Sequence, residues 1–283
     1  MPELPEVETV RRGLEQHTQG RTLSRVEILR ERAIGGSVDG SLFCCALEGS
    51  CIAAWHRRGK YLLAPLERDG RPAGTWGVHL RMTGQFLWLQ HPQPVCNHTR
   101  VRLWCDSGEE LRFVDTRSFG QMWWVPPQTP LAEVITGLAQ LGPEPFSDEF
   151  SAPYLRQKLK SSVRPIKTAL LDQRLVAGVG NIYADESLFA AGINPHTPSR
   201  QLGHDQLERL RQALITVLRQ SIGAGGTTFR DFRDLTGTNG NYGGEAWVYR
   251  RAGQACRRCA STIQRAKLGG RSSHWCPSCQ SPR

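Results

Sequence analysis

No apolar run in this chain approaches the ~20 residues a helix needs to cross a bilayer. The first 30 residues also lack the basic-then-apolar order of a secretory leader. These absences argue against a helical membrane protein and an exported one, and predict a cytoplasmic location. Internal repeats are missing too, so a solenoid or propeller is not expected. The most local absence is acid: from Ala246 to Arg283 there is no Asp or Glu, against eight Lys and Arg residues. The whole chain of 283 residues carries a formal net charge of +10, so most of the excess is gathered in that tail. A concentrated basic field attracts polyanions, nucleic acid first; the alternative is a solvated tail that only confers solubility.

At 39% hydrophobic residues the chain has the composition of a globular protein, and its length suits more than one domain. The first half reads as β. Short runs at 23–29, 51–55, 61–66, 76–80, 86–89, 101–104, 111–114 and 121–125 are separated by Gly, Pro, Asp or basic turns such as Arg57-Arg58-Gly59-Lys60. Many short strands at this spacing predict a sandwich or barrel. PPQTP at 126–130 ends the pattern, 131–141 suits a short helix, and GPEPFSDEF reads as a linker. The period then becomes helical. Leu207, Leu210, Leu214, Val217 and Leu218 mark an amphipathic helix that ends at the glycines of GAGG. Residues 225–244, rich in Gly, Thr and Asn, read as a mobile functional loop.

Of nine cysteines, Cys44, Cys45, Cys51, Cys96 and Cys105 are scattered, as small hydrophobes are in a reducing compartment. The other four form two knuckles, Cys256-x2-Cys259 and Cys276-x2-Cys279, sixteen residues apart. Two CxxC pairs at this distance predict one tetrahedral, closed, structural zinc site. A single CxxC would also suit a redox pair; two do not. A small acid-free segment buries little apolar surface, so the metal would supply its folding energy. Arg271 follows Gly269-Gly270 and is expected at a hairpin tip, where it either reaches a phosphate or is a plain surface residue.

Two further stretches carry chemistry. In QRLVAGVGNIYADE, Gly178 and Gly180 precede Asn181. Glycines ahead of a helix let backbone approach a ligand, and the helix start offers N–H groups to a phosphate. Asn181 either caps the helix or donates to the phosphate. The chain opens MPELPEVETV, where Leu4, Val7, Val10 and Leu14 share a helical face. One reading is a helix entrance, with Pro in the first turn and Glu at the positive dipole end. The other removes Met1, leaving Pro2 with a free secondary amine beside Glu3 and Glu6.

The opening stretch, RRGKYL, VGNIYADE and the terminal zinc finger, in that order, resemble the formamidopyrimidine-DNA glycosylase and endonuclease VIII family, and PELPEVE resembles its formamidopyrimidine branch. The resemblance runs nearly end to end. It implies an α+β multidomain chain: an N-terminal β-sandwich with a flanking helix (1–130), a linker (131–150), a helix-two-turn-helix domain with a lesion-capping loop (151–245, the loop 225–244) and a C-terminal zinc-finger β-hairpin (246–283). It implies a monomer that acts on damaged double-stranded DNA, with one structural zinc and no small-molecule cofactor. The implied activity is excision of 8-oxoguanine and ring-opened purines followed by strand cleavage. Pro2 resembles the nucleophile, Glu3 the acid that assists sugar ring opening, and Glu6 the supporting carboxylate at the helix entrance. Lys60 and His79 match phosphate contacts near the lesion. Met82, Arg117 and Phe119 resemble the residues that fill the space of the flipped base: Phe119 as wedge, Arg117 facing the orphaned cytosine. Asn181 and Arg271 match distal phosphate contacts, and Lys167 a lysine near the lesion.

The chemistry asks for such residues. A base inside the stack is out of reach, so its nucleotide must be turned out, and the hole must be filled. An N-terminal amine, with a pKa near ~7.7–8.0, is partly neutral at pH 7 and can form an iminium with the sugar C1′. That cation acidifies the 2′ hydrogen and allows β- then δ-elimination. Lys60 is a rival nucleophile for the same lyase chemistry. Two other readings stand beside this one. A zinc-ribbon DNA-binding protein without chemistry explains the charge and cysteines but not PELPE. An endonuclease VIII-type enzyme for oxidised pyrimidines keeps the fold but fits DTRSFG and PELPE poorly.

Overall fold

Helix α1 (Leu4–Thr18) begins where sequence and physics agree: Pro5 sits in the first turn, and Glu6 reaches back to the helix entrance. Leu4, Val7, Val10 and Leu14 are all buried on one face. Each such side chain contributes about 1.5–3 kcal/mol on burial, so this face is what fixes the helix to its sheet.

The computed structural model describes residues 1–36, 38–227, 244 and 246–281. They form two compact units. The first comprises residues 1–140 with the stretch from Gly225; the second comprises 141–224 and the chain from Tyr242 onward.

In the first unit, strands β1 (Leu23–Ile28), β2 (Cys51–Ile52), β3 (His56–Arg58), β4 (Tyr61–Arg68), β5 (Arg71–His79), β6 (Gly84–Leu89), β7 (Thr99–Cys105), β8 (Glu110–Asp115) and β9 (Gln121–Val125) make two antiparallel sheets. One has the order β1-β7-β8-β6, the other β2-β4-β5-β9 with β3 also on β4. This is the expected sandwich. Its core alternates out of both sheets: Val26, Phe86, Leu103 and Phe113 from one, Leu62, Ala64, Trp76, Val78 and Met122 from the other. The rings of Trp55, Trp76, Phe86 and Phe113 follow one another at centroid distances of 5.2, 6.0 and 5.2 Å. Helix α2 (Gly40–Leu47), capped by Asp39, packs Phe43 and Leu47 into the same core. The strand expected over 51–55 is shorter, because pairing stops at Ile52. The basic turn narrows to Gly59-Lys60, since Arg57 and Arg58 already pair with β4. Over 131–141 there is a single helical turn, α3 (Leu131–Val134), then a 3₁₀ segment.

In the second unit α4 (Ala152–Leu159), α5 (Ile166–Leu170), α6 (Asn181–Ala191) and α7 (His204–Gly223) are joined by β10 (Gln264–Leu268) and β11 (Arg271–Trp275). α6 lies at the centre and is buried on nearly every side, so it has no single apolar stripe. The stretch 141–150, expected as part of a linker, packs into this unit: the Gly142 N–H donates to Gln173 O at 2.8 Å, and Phe150 is 1% exposed. A side chain at Gly142 would meet the Arg174 carbonyl, which explains the glycine. Residues 225–227 belong with the first unit rather than with the helices before them. Most of the expected mobile loop, 228–243, lies outside the described residues. No helix among the described residues is long and apolar enough to cross a membrane.

Candidate functional site

The chain is buried from its second residue onward. Pro2, Glu3 and Glu6 are buried, while Met1 is 43% exposed over them. Glu6 uses both oxygens: Oε2 accepts the Glu3 N–H and Oε1 the Thr227 N–H, each at 2.8 Å. One carboxylate thus joins the start of the chain to Thr227, 221 residues onward. Gly226 allows that approach; it sits at φ +82°, and a Cβ there would lie 3.2 Å from Glu6.

Lys60 is carried by the β3–β4 hairpin, with Gly59 at φ +57° in the turn. Its neighbour Arg57 donates to Glu8 Oε2 at 3.2 Å and to the Gly59 carbonyl at 3.1 Å, so the turn is tied to α1. Register places Tyr61 opposite His79, with the rings edge-on at 4.6 Å. His79 is 7% exposed, and burial, then the charges of Arg81 and Lys60, push its pKa down to about 3. The Arg81 N–H donates to Nδ1 at 2.9 Å. The ring is therefore neutral, with its proton on Nε2, free to serve as a donor to an anion.

Met82, Arg117 and Phe119 are brought together by a residue the sequence reading passed over. Asp115, at the end of β8, is fully buried. Its Oδ1 accepts the Arg117 N–H at 3.2 Å and the Thr83 hydroxyl; its Oδ2 accepts the Gly120 N–H at 2.6 Å. This one carboxylate pins the loop 115–120 to the turn that holds Met82. Gly84 and Gly120 are required because a Cβ at either would strike the Phe113 ring. Phe119 remains 40% exposed, and the Arg117 guanidinium lies 4.7 Å from its ring. An exposed aromatic with a cation beside it suits insertion into a base stack.

In the second unit Asn181 is the first residue of α6, and Gly180 is the cap; Asn181 therefore does not cap the helix. Gln173 sets the turn ahead of it, donating to Leu171 O and Val179 O and accepting the Gly178 N–H. Arg271 is exposed beside the hairpin turn Gly269-Gly270, as expected. Lys167 departs from expectation as a DNA contact. It is 1% exposed, and its Nζ lies 2.6 Å from Asp185 Oδ1 and donates to Ser272 O at 2.7 Å. Both of these partners lie within the protein. The two acids of ADE were also missed. Asp185 takes Lys167 and His274, while Glu186 accepts the N–H groups of Trp247, Val248 and Tyr249 at 2.8, 3.0 and 2.8 Å, even though burial raises its pKa. Paired acids inside an otherwise apolar helix were the available signal.

The four zinc-knuckle sulfurs all lie within 4.8 Å of one another. The Arg258 and Cys279 N–H groups donate to the sulfurs of Cys256 and Cys276, each at 3.4 Å, as a tight knuckle requires. A tetrahedral zinc with bonds near ~2.3 Å needs sulfurs about 3.8 Å apart; Cys259 and Cys276 are 3.4 Å apart and Cys256 and Cys279 4.0 Å. The donor set thus fits one closed, structural zinc ion.

Residues 1–122 match the family model for the formamidopyrimidine-DNA glycosylase N-terminal domain, 141–233 its H2TH domain and 253–282 the zinc finger found in FPG and IleRS. The formamidopyrimidine-DNA glycosylase of Parasynechococcus marenigrum is 64% identical over 280 residues, covering 99% of this chain and 100% of that one. The Nostoc enzyme of the same name is 56% identical over 284 residues, with 99% and 100% covered. Among solved structures, the Lactococcus lactis Fpg in complex with abasic-site DNA superposes with a TM-score of 0.89 at 34% identity, covering 99% of this chain and 100% of that one. MutM bound to DNA containing carbocyclic 8-oxo-G matches with the same score, identity and coverage. A further Lactococcus Fpg complex, holding oxidised-pyrimidine DNA, matches at 0.89 and 33% with the same coverage. By sequence and by fold, the chain belongs to the formamidopyrimidine-DNA glycosylase family.

Proposed function

We propose that this chain removes 8-oxoguanine and formamidopyrimidines from duplex DNA and then cuts the strand, with Pro2 as the nucleophile once Met1 has been removed. The amine of Pro2 attacks the sugar C1′ as the bond to the base breaks; Glu3 donates a proton to the opening sugar ring. Loss of the 2′ hydrogen from the iminium drives β-elimination, and a second elimination removes the sugar remnant. The observation that carries this reading is the burial of Pro2, Glu3 and Glu6, with Glu6 accepting the Glu3 and Thr227 N–H groups.

The remaining roles follow from the family resemblance. Lys60 and neutral His79 hold phosphates beside the lesion, and Phe119, Arg117 and Met82 occupy the vacated stack. Asn181 and Arg271 hold phosphates in the second unit, whose helical part serves as the helix-two-turn-helix domain and whose tail serves as the zinc finger. The enzyme works as a monomer in the cytoplasm, on the nucleoid. The Lactococcus complex with oxidised-pyrimidine DNA favours a second activity on such lesions.

The test is borohydride trapping on a duplex with 8-oxoguanine opposite cytosine, followed by mass spectrometry of the cross-linked peptide. A cross-link on a peptide that begins at Pro2 is expected. A cross-link on Lys60 would move the nucleophile. No cross-link, from protein shown to begin at Pro2 and still binding the duplex, would refute the lyase mechanism for this lesion.

A further inference from the structure

Lys167 and Asp185 make an ion pair that is 1% and 0% exposed, with charged atoms 2.6 Å apart. Taking two charges out of water is costly, and apolar residues of similar volume often pack as well or better. What this pair adds is geometry, and its hydrogen bonds show where. Lys167 Nζ donates to the Ser272 carbonyl at 2.7 Å. Asp185 Oδ2 accepts the His274 N–H at 3.0 Å and contacts His274 Nδ1 at 3.0 Å. Both bonds grip the same strand, β11, directly after Arg271. From the other side Asn181 Nδ2 donates to Ser272 Oγ at 3.4 Å. The hairpin turn also lies against the residue after Lys167, since a Cβ on Gly269 would be 3.3 Å from Thr168 Oγ1. The buried pair therefore sits beneath the two residues assigned to distal phosphates, and holds the strand that links them.

We propose that Lys167 and Asp185 are positioning residues for DNA binding: acting through Ser272 and His274, they hold Arg271 and Asn181 at a fixed spacing, and neither touches the nucleic acid. Donors already fixed in place lose less freedom when a phosphate arrives. This inference rests on the reading of Arg271 and Asn181 as phosphate contacts.

The experiment measures binding of the full-length, zinc-loaded protein to a duplex carrying a non-cleavable tetrahydrofuran abasic analogue, as a function of salt. The variants are Lys167→Met, Arg271→Ala, their double, and Lys167→Met combined with Asp185→Leu, which removes both charges and leaves neither stranded. Arg271→Ala is expected to weaken binding and lower the salt slope by about one. Lys167→Met is expected to weaken binding about tenfold, and in turnover assays to raise KM with kcat kept. The Arg271/Lys167 double should be no weaker than the poorer single. The paired apolar variant should keep its zinc and melting temperature and still lose the Arg271-dependent part of the slope. Additive losses, with the slope lowered by a further unit, would show Lys167 on a phosphate and overturn the proposal. Wild-type binding by the paired apolar variant would overturn it as well. If Arg271→Ala alone changes nothing, the phosphate assignment itself fails, and the inference falls with it by a distinguishable route.

Discussion

Glutamine at position 6 would exchange one carboxylate oxygen for an NH2 group and alter nothing else in size or shape. The site does not tolerate the exchange, because Glu6 is 2% exposed and each oxygen accepts a backbone N–H at 2.8 Å. Glutamine keeps one acceptor, so one of the two N–H groups must face an NH2. A hydrogen bond to a charged acceptor contributes about 1.5–3 kcal/mol, and a stranded buried donor costs about 1–3 kcal/mol. The weaker attachment yields. The Glu3 N–H is held within the first turn of α1, three residues away; that of Thr227 comes from 221 residues away, after two glycines at φ +75° and +82°. The Thr227 amide should therefore open first, by about 1.4–2.8 kcal/mol, which is ten- to a hundredfold in hydrogen exchange. Amides of β4, β5 and β8 in the sandwich should keep their protection within a factor of about three. The assay is residue-resolved exchange by NMR on wild type and Glu6→Gln. In function, the loss should fall on excision of 8-oxoguanine more than on cleavage of a preformed abasic site, because the loop after Thr227 is read as the cap on the damaged base. Unchanged exchange at Thr227 would refute the claim that Glu6 tethers that stretch.

Other perturbations follow the same logic. His79 in the unfolded chain takes up a proton near its ordinary 6.5, and in the folded chain only near 3; the unfolded state binds more protons across that window, so stability falls as pH drops from 6.5 towards 3. His79→Gln should flatten this dependence by up to ~1.4 kcal/mol per pH unit in denaturant titrations, and a slope equal to wild type would argue against a buried neutral ring. Asp115→Asn keeps one of the two acceptor oxygens and leaves the Arg117 or the Gly120 N–H facing an NH2 group; preference for cytosine over adenine opposite the lesion should shrink several-fold with stability lower by about 1–3 kcal/mol, and an unchanged ratio would detach Asp115 from the void-filling loop. Stripping the metal with a chelator should release one zinc per chain and abolish duplex binding, while the emission of Trp55 and Trp76 in the sandwich core stays native; binding by metal-free protein would contradict a finger that folds on its zinc.

How much of this was legible in the sequence depends on how far apart the partners are. Leu4, Val7, Val10 and Leu14 announce α1 because a helix repeats within four residues, and the strands announce themselves as short runs bounded by Gly, Pro, Asp or basic turns. The zinc knuckles are legible for the same reason: the donors come in pairs held by one turn, and two such pairs close a tetrahedron. Arg271 is placed at a hairpin tip by the two glycines before it. Lys167 was not legible as a buried residue. A lysine is ordinarily exposed, and what overrides that habit is an acid 18 residues onward on α6 together with a carbonyl 105 residues onward on β11. Asp185 and Glu186 share this property, with backbone partners on the chain beyond residue 246. Each acts by accepting or donating to backbone groups, and a backbone N–H has no signature in the sequence because nearly every residue has one. Residues that meet a ligand must be of a particular chemical type and so stand out in the sequence. Residues that orient those residues are defined by where the chain returns, and only the fold reveals them. That is why Lys167, read from the sequence as a DNA contact, belongs in the structure to the second group.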